Sequence, residues 1–230
     1  MLVAAFEEAH PGIALRAVTG GTGEILEYAR RGDVDVTITH DPAAESAFVA
    51  QGHGRVWRPL MYNDFILVGP ADDPASLRGA HDAVDAFNRL DRAGAPFVSR
   101  GDDSGTHRRE RAVWRESGIE PNRKAWYIEA GSGMGDALRL ANSRHAYVLT
   151  DRGTFLTLQN QLDLHLLFEG DQQRLTNRYG VMVVNNARQP AAADSLLEWL
   201  TGTRGKQVIA EYGAQEYGRP LFNPMNEDER

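Results

Sequence analysis

Runs with the character of β-strands alternate with helical runs along most of this chain. Phe65–Val68 is an apolar run that ends at a Gly-Pro pair, and Tyr179–Val184 is a second apolar run of this kind. Segments with helical periodicity, such as Asp82–Arg92 and Ser104–Ser117, lie between the strand-like runs. Such alternation is typical of α/β proteins, in which mostly parallel sheets carry helices on both faces. We therefore predict an α/β fold.

The two ends of the chain give more local predictions. Residues Leu2–Ala9 have the apolar spacing of an amphipathic helix, and they lack the basic and long apolar regions of a signal peptide. We expect either that a leader has been removed or that the start is trimmed. Ile13–Val18 alternates at period two and is predicted to form a strand. The charged tail Asn226–Arg230 is predicted to fray.

Composition excludes several classes of protein. The chain has 230 residues, a formal net charge of -7 and no cysteine, so disulfides and thiolate chemistry are excluded. Nucleic-acid binders usually carry a basic face that neutralises phosphates, and the acidic composition of this chain gives no indication of such a face. No apolar run approaches the roughly 18 residues that a membrane span requires.

Three glycine-rich turns, each directly before a predicted helix, carry the candidate chemistry. They are Thr19–Gly23, Ser99–His107 and Gly131–Gly135. Glycine allows close backbone approach to a ligand, and the N–H groups at a helix start favour an anion. Arg100 adds a permanent, forked cation. One such turn alone favours ordinary helix capping, whereas three of them with an arginine favour a site for a tetrahedral oxyanion.

Other kinds of site fit the sequence less well. Asp103, Ser104 and His107 resemble the members of a hydrolase triad, but no Gly-x-Ser-x-Gly elbow is present and Asp103 is better placed as a helix cap. The seven histidines include no His-Glu-x-x-His motif, so we expect no metal-cation ligands. The Gly202–Lys206 segment is not followed by Ser or Thr, which excludes a P-loop.

Several stretches resemble, in order and spacing, the tungstate-binding solute receptors of ABC transporters. Ser99–His107 is the most specific of them. The full set is Met61–Phe65 with Val68–Pro70, Pro96–His107, Trp126–Gly131 with Gly133–Gly135, and Leu149–Thr154.

The resemblance implies a two-lobed type II periplasmic-binding-protein fold, with each lobe a mostly parallel sheet flanked by helices. Lobe one would comprise residues 1–66 and 182–230, and lobe two would comprise 67–181. Two crossing strands, near Phe65–Val68 and Tyr179–Val184, would join them. The family starts with a strand and a Thr/Ser-rich loop ahead of the first helix. This chain starts at that helix, so we expect the leader and the first strand to be absent from it.

The resemblance also implies a non-enzymatic function, namely capture of an oxyanion for import. The ligand would be tungstate first and molybdate next, held by hinge closure of the lobes. The protein would be a periplasmic or extracytoplasmic monomer that uses no cofactor, binds no nucleic acid and delivers the anion to an ABC transporter permease. The predicted oxyanion ligands are Arg100, Ser99, Ser104, Thr106 and Thr22, followed by Ser132 and Gly133.

Two other functions remain open at this point. Type II binding lobes also serve as effector domains of transcription regulators, although no helix-turn-helix segment accompanies them here. A hydrolase that uses Arg100 to hold a phosphate or carboxylate would also need a nucleophile and a base beside it. The sequence offers no convincing pair.

Overall fold

The computed structural model describes residues 1–226 of the chain. Within that range, no helix has both the length and the apolar character that crossing a bilayer requires. The helices are α1 (Leu2–Ala9), α2 (Thr22–Arg31), α3 (Pro42–Ala50), α4 (Ala83–Ala93), α5 (Gly105–Glu116), α6 (Met134–Arg144), α7 (Arg152–Leu158), α8 (Gln172–Leu175), α9 (Pro190–Thr201), α10 (Thr203–Glu211) and α11 (Ala214–Tyr217). The strands are β1 (Val36–Thr39), β2 (Gly54–Pro70), β3 (Phe97–Ser99), β4 (Tyr127–Glu129), β5 (Tyr147–Asp151), β6 (Leu164–Phe168), β7 (Thr176–Val184) and β8 (Asn223–Pro224).

The chain divides into two compact units. Unit 1 contains Met1–Asn63 together with the chain from Asn177 onward, and unit 2 contains Asp64–Thr176. The divisions fall within β2 and at the start of β7, a few residues before the boundaries expected from the sequence. These two strands include the segments predicted to cross between lobes.

The sheet of unit 2 has the order β6–β2–β5–β3–β4. Strand β3 lies between β5 and β4 and is parallel to both, whereas the end of β2 is antiparallel to β5 and to β6. The α/β class is therefore confirmed, but the sheet is mixed rather than mostly parallel. Helical crossovers impose parallel pairing on β3, β4 and β5. No such crossover fixes the direction of β2, which enters the sheet from unit 1.

Alternate residues of β2 supply the two faces of this sheet. Phe65 and Leu67 point to one side and Ile66 and Val68 to the other, because successive side chains of a strand point to opposite faces. The first face packs against α4 and α5, and the second against α6 and α7. A strand that is covered on both sides is continuously apolar, which explains why this run was recognisable in the sequence.

Unit 1 is built in the same way around β7. Its residue Val183 pairs with Val36 of the antiparallel strand β1, and the first part of β2 lies on the other side of β7. Val181 and Val183 pack against α9 and α10, whereas Met182 and Val184 pack against α2 and α3. Both units therefore have a helix layer on each face of a short sheet.

One sequence prediction fails at the start of unit 1. Ile13–Val18 forms no strand in the structure. A strand requires a hydrogen-bonded neighbour, and here the backbone N–H of Leu15 donates instead to a carboxylate oxygen of Glu7 at 2.7 Å. Val18 is 49% exposed, so alternation in the sequence did not lead to burial. The predicted fraying of the tail Asn226–Arg230 stays a prediction, because residues 227–230 lie outside the described part of the chain.

Candidate functional site

Two of the three glycine-rich turns lie side by side at one edge of the unit 2 sheet. They follow the parallel strands β3 and β4, in which Ser99 is paired with Glu129. The N–H of Ala130 donates to the carbonyl of Ser99 at 2.9 Å, and the N–H of Ser132 donates to the carbonyl of Arg100 at 3.3 Å. The carboxyl edge of parallel strands is where α/β proteins usually bind ligands.

Gly101 allows these two turns to approach each other. Its φ is +63°, a conformation that side chains disfavour. A Cβ added there would lie 3.0 Å from the Cβ of Glu129 and 3.5 Å from the backbone nitrogen of Gly131. Glycine is therefore required here both for the backbone angle and for the close contact.

Each turn leads into the N-terminus of a helix. Ser104 caps α5, since its hydroxyl accepts from the N–H of His107 at 3.4 Å, and Gly133 precedes α6 without a side-chain cap. The first N–H groups of an α-helix have no acceptor within the helix, and the helix dipole makes that end favourable for an anion. Two such ends, from helices of 12 and 11 residues, therefore belong to adjacent loops.

Arg100 supplies the positive charge of this edge. Its side chain is only 18% exposed, and one terminal nitrogen forms an ion pair with Asp102. The Nε–H of Arg100 is buried and has no hydrogen-bond acceptor among the described residues. An unsatisfied buried donor costs free energy, and a ligand oxygen that accepts its hydrogen bond would remove that cost.

Asp102 is held ionised beside Arg100. Burial opposes ionisation of its carboxyl group, but hydrogen bonds from Ser104 and the charge of Arg100 outweigh that effect and lower the pKa of Asp102. The carboxylate also accepts the N–H of Ser104 at 3.2 Å. The loop therefore has its own counter-ion, which neutralises part of the guanidinium charge and leaves Nε uncommitted.

The predicted ligands that carry a hydroxyl group differ in how deeply they are buried. Ser104 and Ser132 are half-buried at the two turns. Thr106 is 7% exposed, and Ser99 is fully buried. The Ser99 Oγ accepts from the N–H of Gly101 at 3.2 Å, and its side chain also influences the pKa values of Glu110 and Tyr127. Ser99 is thus already engaged inside unit 2.

Glu110 lies on α5, the helix that follows the loop of Arg100, and it was not among the residues predicted from the sequence. It is 2% exposed, and its Oε1 accepts from the hydroxyl of Tyr127 at 2.7 Å and from the indole N–H of Trp114 at 3.2 Å. In the sequence, Glu110 stands among arginines and suggests an exposed position. The usable signal was its helical spacing, which places it on one face with Val113 and Trp114.

The third turn belongs to unit 1. Thr22 is the first residue of α2, follows the N-cap Gly21 and is half-buried. Its predicted role as an oxyanion ligand stays a prediction.

The geometry around Ser104 does not assemble a nucleophile and a base. The Nδ1 of His107 accepts from the backbone N–H of Asp103 at 3.0 Å, and the Ser104 hydroxyl serves as the cap of α5. Among residues 1–226, no group of three or more His, Cys, Asp or Glu side chains is placed to hold a metal cation.

Comparison with known proteins identifies the family. A family model described as a PBP superfamily domain matches residues 1–204. The tungstate-binding protein TupA of Peptoclostridium acidaminophilum is 42% identical over 93% of this chain and 76% of its own length. A putative ABC transporter anion-binding protein of Haloferax volcanii is 44% identical over 91% of this chain, which spans 63% of that relative.

A solved structure gives the same result. The tungstate-binding protein TupA from Desulfovibrio alaskensis G20 has a TM-score of 0.89 and 37% identity, over 98% of this chain and 92% of that one. The relatives are named as binding proteins, which agrees with the prediction that the chain is not an enzyme. The resemblance seen in the sequence is therefore confirmed, and the chain belongs to the tungstate-binding protein family within the PBP superfamily.

Proposed function

We propose that this protein captures a tetrahedral oxyanion, with tungstate as the first candidate and molybdate as the next, on the extracytoplasmic side and presents it to an ABC importer. The observation that carries the proposal is the buried Nε–H of Arg100, which belongs to a positively charged guanidinium and has no acceptor among the described residues. The names of the relatives, which refer to tungstate and to anions, support the choice of ligand class.

The chemistry of the loop edge suits such a ligand. A tetrahedral dianion offers only acceptors, and stripping its water costs several kcal/mol unless fixed donors replace that water. Arg100 gives charge-assisted donors, and the starts of α5 and α6 give backbone N–H groups and a favourable dipole. Because the N–H groups at the starts of α5 and α6 belong to the folded backbone, binding requires little ordering of these groups.

The proposed ligands are ranked by their position. Arg100 is the principal one, and Ser104, Thr106, Ser132 and Gly133 supply further donors from the same edge. Ser99 is buried, and its Oγ already accepts the N–H of Gly101. Direct contact of its hydroxyl with the anion would therefore require a change in this arrangement. Thr22, which belongs to unit 1, stays a predicted ligand.

The two other functions have less support. A regulatory effector domain would belong with a DNA-binding module, whereas the relatives are named as binding proteins. A hydrolase requires a nucleophile and a base that the geometry around Ser104 does not provide.

Thermal unfolding in the presence of four anions tests the proposal. A ligand that binds only the folded state stabilises it by about 2.7 kcal/mol at roughly 100-fold excess over Kd. We expect tungstate and molybdate to raise the Tm clearly, and sulfate and phosphate to raise it little. Equal shifts for all four would indicate nonspecific screening, and no shift with any of them would contradict oxyanion capture by this chain.

A further inference from the structure

The buried carboxyl group of Glu110 lies directly beneath the loop that carries Arg100. Glu110 projects from α5, the helix whose N-terminus ends that loop. The Ser99 side chain interacts with this carboxyl group and lowers its pKa, and the Ser99 Oγ accepts the N–H of Gly101 at 3.2 Å. Glu110 is thus linked to the backbone of the anion loop through a single side chain.

Glu110 is also linked to the neighbouring strand. Its Oε1 accepts from the hydroxyl of Tyr127 on β4, at 2.7 Å. The strand β4 leads into the second loop of the site. One carboxyl group therefore connects both loop-bearing strands to the helix that begins at the site.

We propose that Glu110 is a positioning residue of the anion site: it holds the two loops through Ser99 and Tyr127, and its charge state sets how strongly they bind an oxyanion. This inference rests on the proposed function. When Glu110 is neutral, it does not oppose the positive charge of Arg100. Ionised Glu110 adds a buried negative charge that disfavours a second anion above it.

The surroundings of Glu110 support a change of charge near neutral pH. Burial raises the pKa of Glu110 to about 7, against the lowering effect of hydrogen bonds from Ser99, Tyr127 and Trp114. From β4, the carboxylate of Glu129 raises it further. Burial and the negative charge of Glu110 raise the pKa of Tyr127 in turn, so that the phenol remains a donor.

The other neighbours do not offer a compensating charge. Trp114, which donates to Glu110, packs against Phe87 and Phe97 in an apolar cluster. His107 lies one turn earlier on the same buried face of α5, and its Nδ1 accepts from the N–H of Asp103. Among the described residues, no arginine or lysine ion pair with Glu110 is present.

The sign of the pH effect follows from this arrangement. A bound dianion disfavours ionised Glu110, so it raises the pKa of Glu110 above its value in the free protein. Affinity is then highest below about pH 7, decreases as the free protein loses the proton, and levels off above the pKa of the complex. A coupling of about one pKa unit makes binding about tenfold weaker at high pH than at low pH.

Calorimetric titration with tungstate between about pH 6 and about pH 8.5 tests the inference. In the wild type, we expect affinity to decrease about tenfold across this range and binding near pH 7 to take up protons. Proton uptake is read from titrations in buffers of different ionisation enthalpy. Glu110→Gln keeps the shape and the acceptor oxygen but cannot titrate, so its affinity should change little with pH and should exceed that of the wild type at high pH.

The matched control is Glu116→Gln, which removes an exposed carboxylate from the same helix. It should keep the pH profile of the wild type. A Glu110→Gln protein with weaker binding but an unchanged pH profile would show a purely structural role and overturn the inference. If that variant does not fold, pH-independent wild-type affinity without proton uptake overturns it equally. Wild-type protein that binds no oxyanion at any pH would instead overturn the proposed function itself.

Discussion

Replacing Arg100 by alanine is expected to weaken tungstate binding by about a hundredfold or more. Truncating one partner of a buried, hydrogen-bonded charge pair costs about 2–5 kcal/mol, because the remaining charge is left without its partner. Each 1.4 kcal/mol or so corresponds to a factor of ten in affinity. Isothermal calorimetry at fixed pH and ionic strength measures the change directly.

The free protein should tolerate this substitution. The Nε of Arg100 has no acceptor, and the ion pair with Asp102 lies within the same loop, so the Tm without anion should change little. Arg139→Ala, which removes an exposed arginine paired with Asp136 in the same unit, is the matched control and should bind normally. Unchanged affinity in Arg100→Ala would rule out this loop as the anion site.

Arg100→Lys separates charge from geometry. Lysine keeps the positive charge but lacks the forked donors and the Nε–H. We expect affinity between that of the wild type and that of Arg100→Ala. Wild-type affinity in the Arg100→Lys protein would mean that charge alone, rather than the unpartnered Nε donor, accounts for binding.

Trp114→Ala is expected to destabilise the protein by about 3–5 kcal/mol, the usual cost of removing a large aromatic side chain from a core. Trp114 is 1% exposed, and the centroid of its ring lies 4.3 Å from that of Phe87 and 5.4 Å from that of Phe97. The substitution leaves a cavity between α5 and the sheet and removes one donor to Glu110. Urea unfolding followed by circular dichroism gives the free-energy difference.

Trp126→Ala is the matched control for this prediction. Trp126 packs on the same cluster, with its ring centroid 5.5 Å from that of Trp114, but it is only partly buried. We expect a clearly smaller loss of stability, because less apolar area leaves water at this position. A Trp114→Ala protein that loses no more stability than the Trp126→Ala protein would contradict the prediction that the buried area of each tryptophan sets the loss.

The sequence by itself determined where most elements lie and which turns carry chemistry. The start of α3, for example, follows from the Asp41 cap and the proline at its first position. The end of α2 follows from Gly32, which has a φ of 72°. These are local effects of backbone angles and capping groups, so they are readable over a few residues. Arg100 was predictable for the same reason, since a fixed cation in a glycine-rich turn suggests an anion.

Only the tertiary structure decided how these pieces meet. Pairing of β3 with β4 brings the loop of Gly101 against that of Gly131, and no local pattern indicates which strands become neighbours. The mixed direction of the sheet and the unpaired segment Ile13–Val18 likewise depend on distant partners.

Glu110 illustrates the same limit at the candidate site. A glutamate among arginines suggests a solvated position, because burial of an isolated carboxylate is costly. One donor that makes its burial tolerable, Tyr127, comes from β4, and Ser99, which also lowers its pKa, comes from β3. Local sequence thus specifies conformation and the types of chemical group available. Burial, hydrogen-bond partners and the resulting charge arise from contacts between distant segments, and only the folded chain contains those contacts.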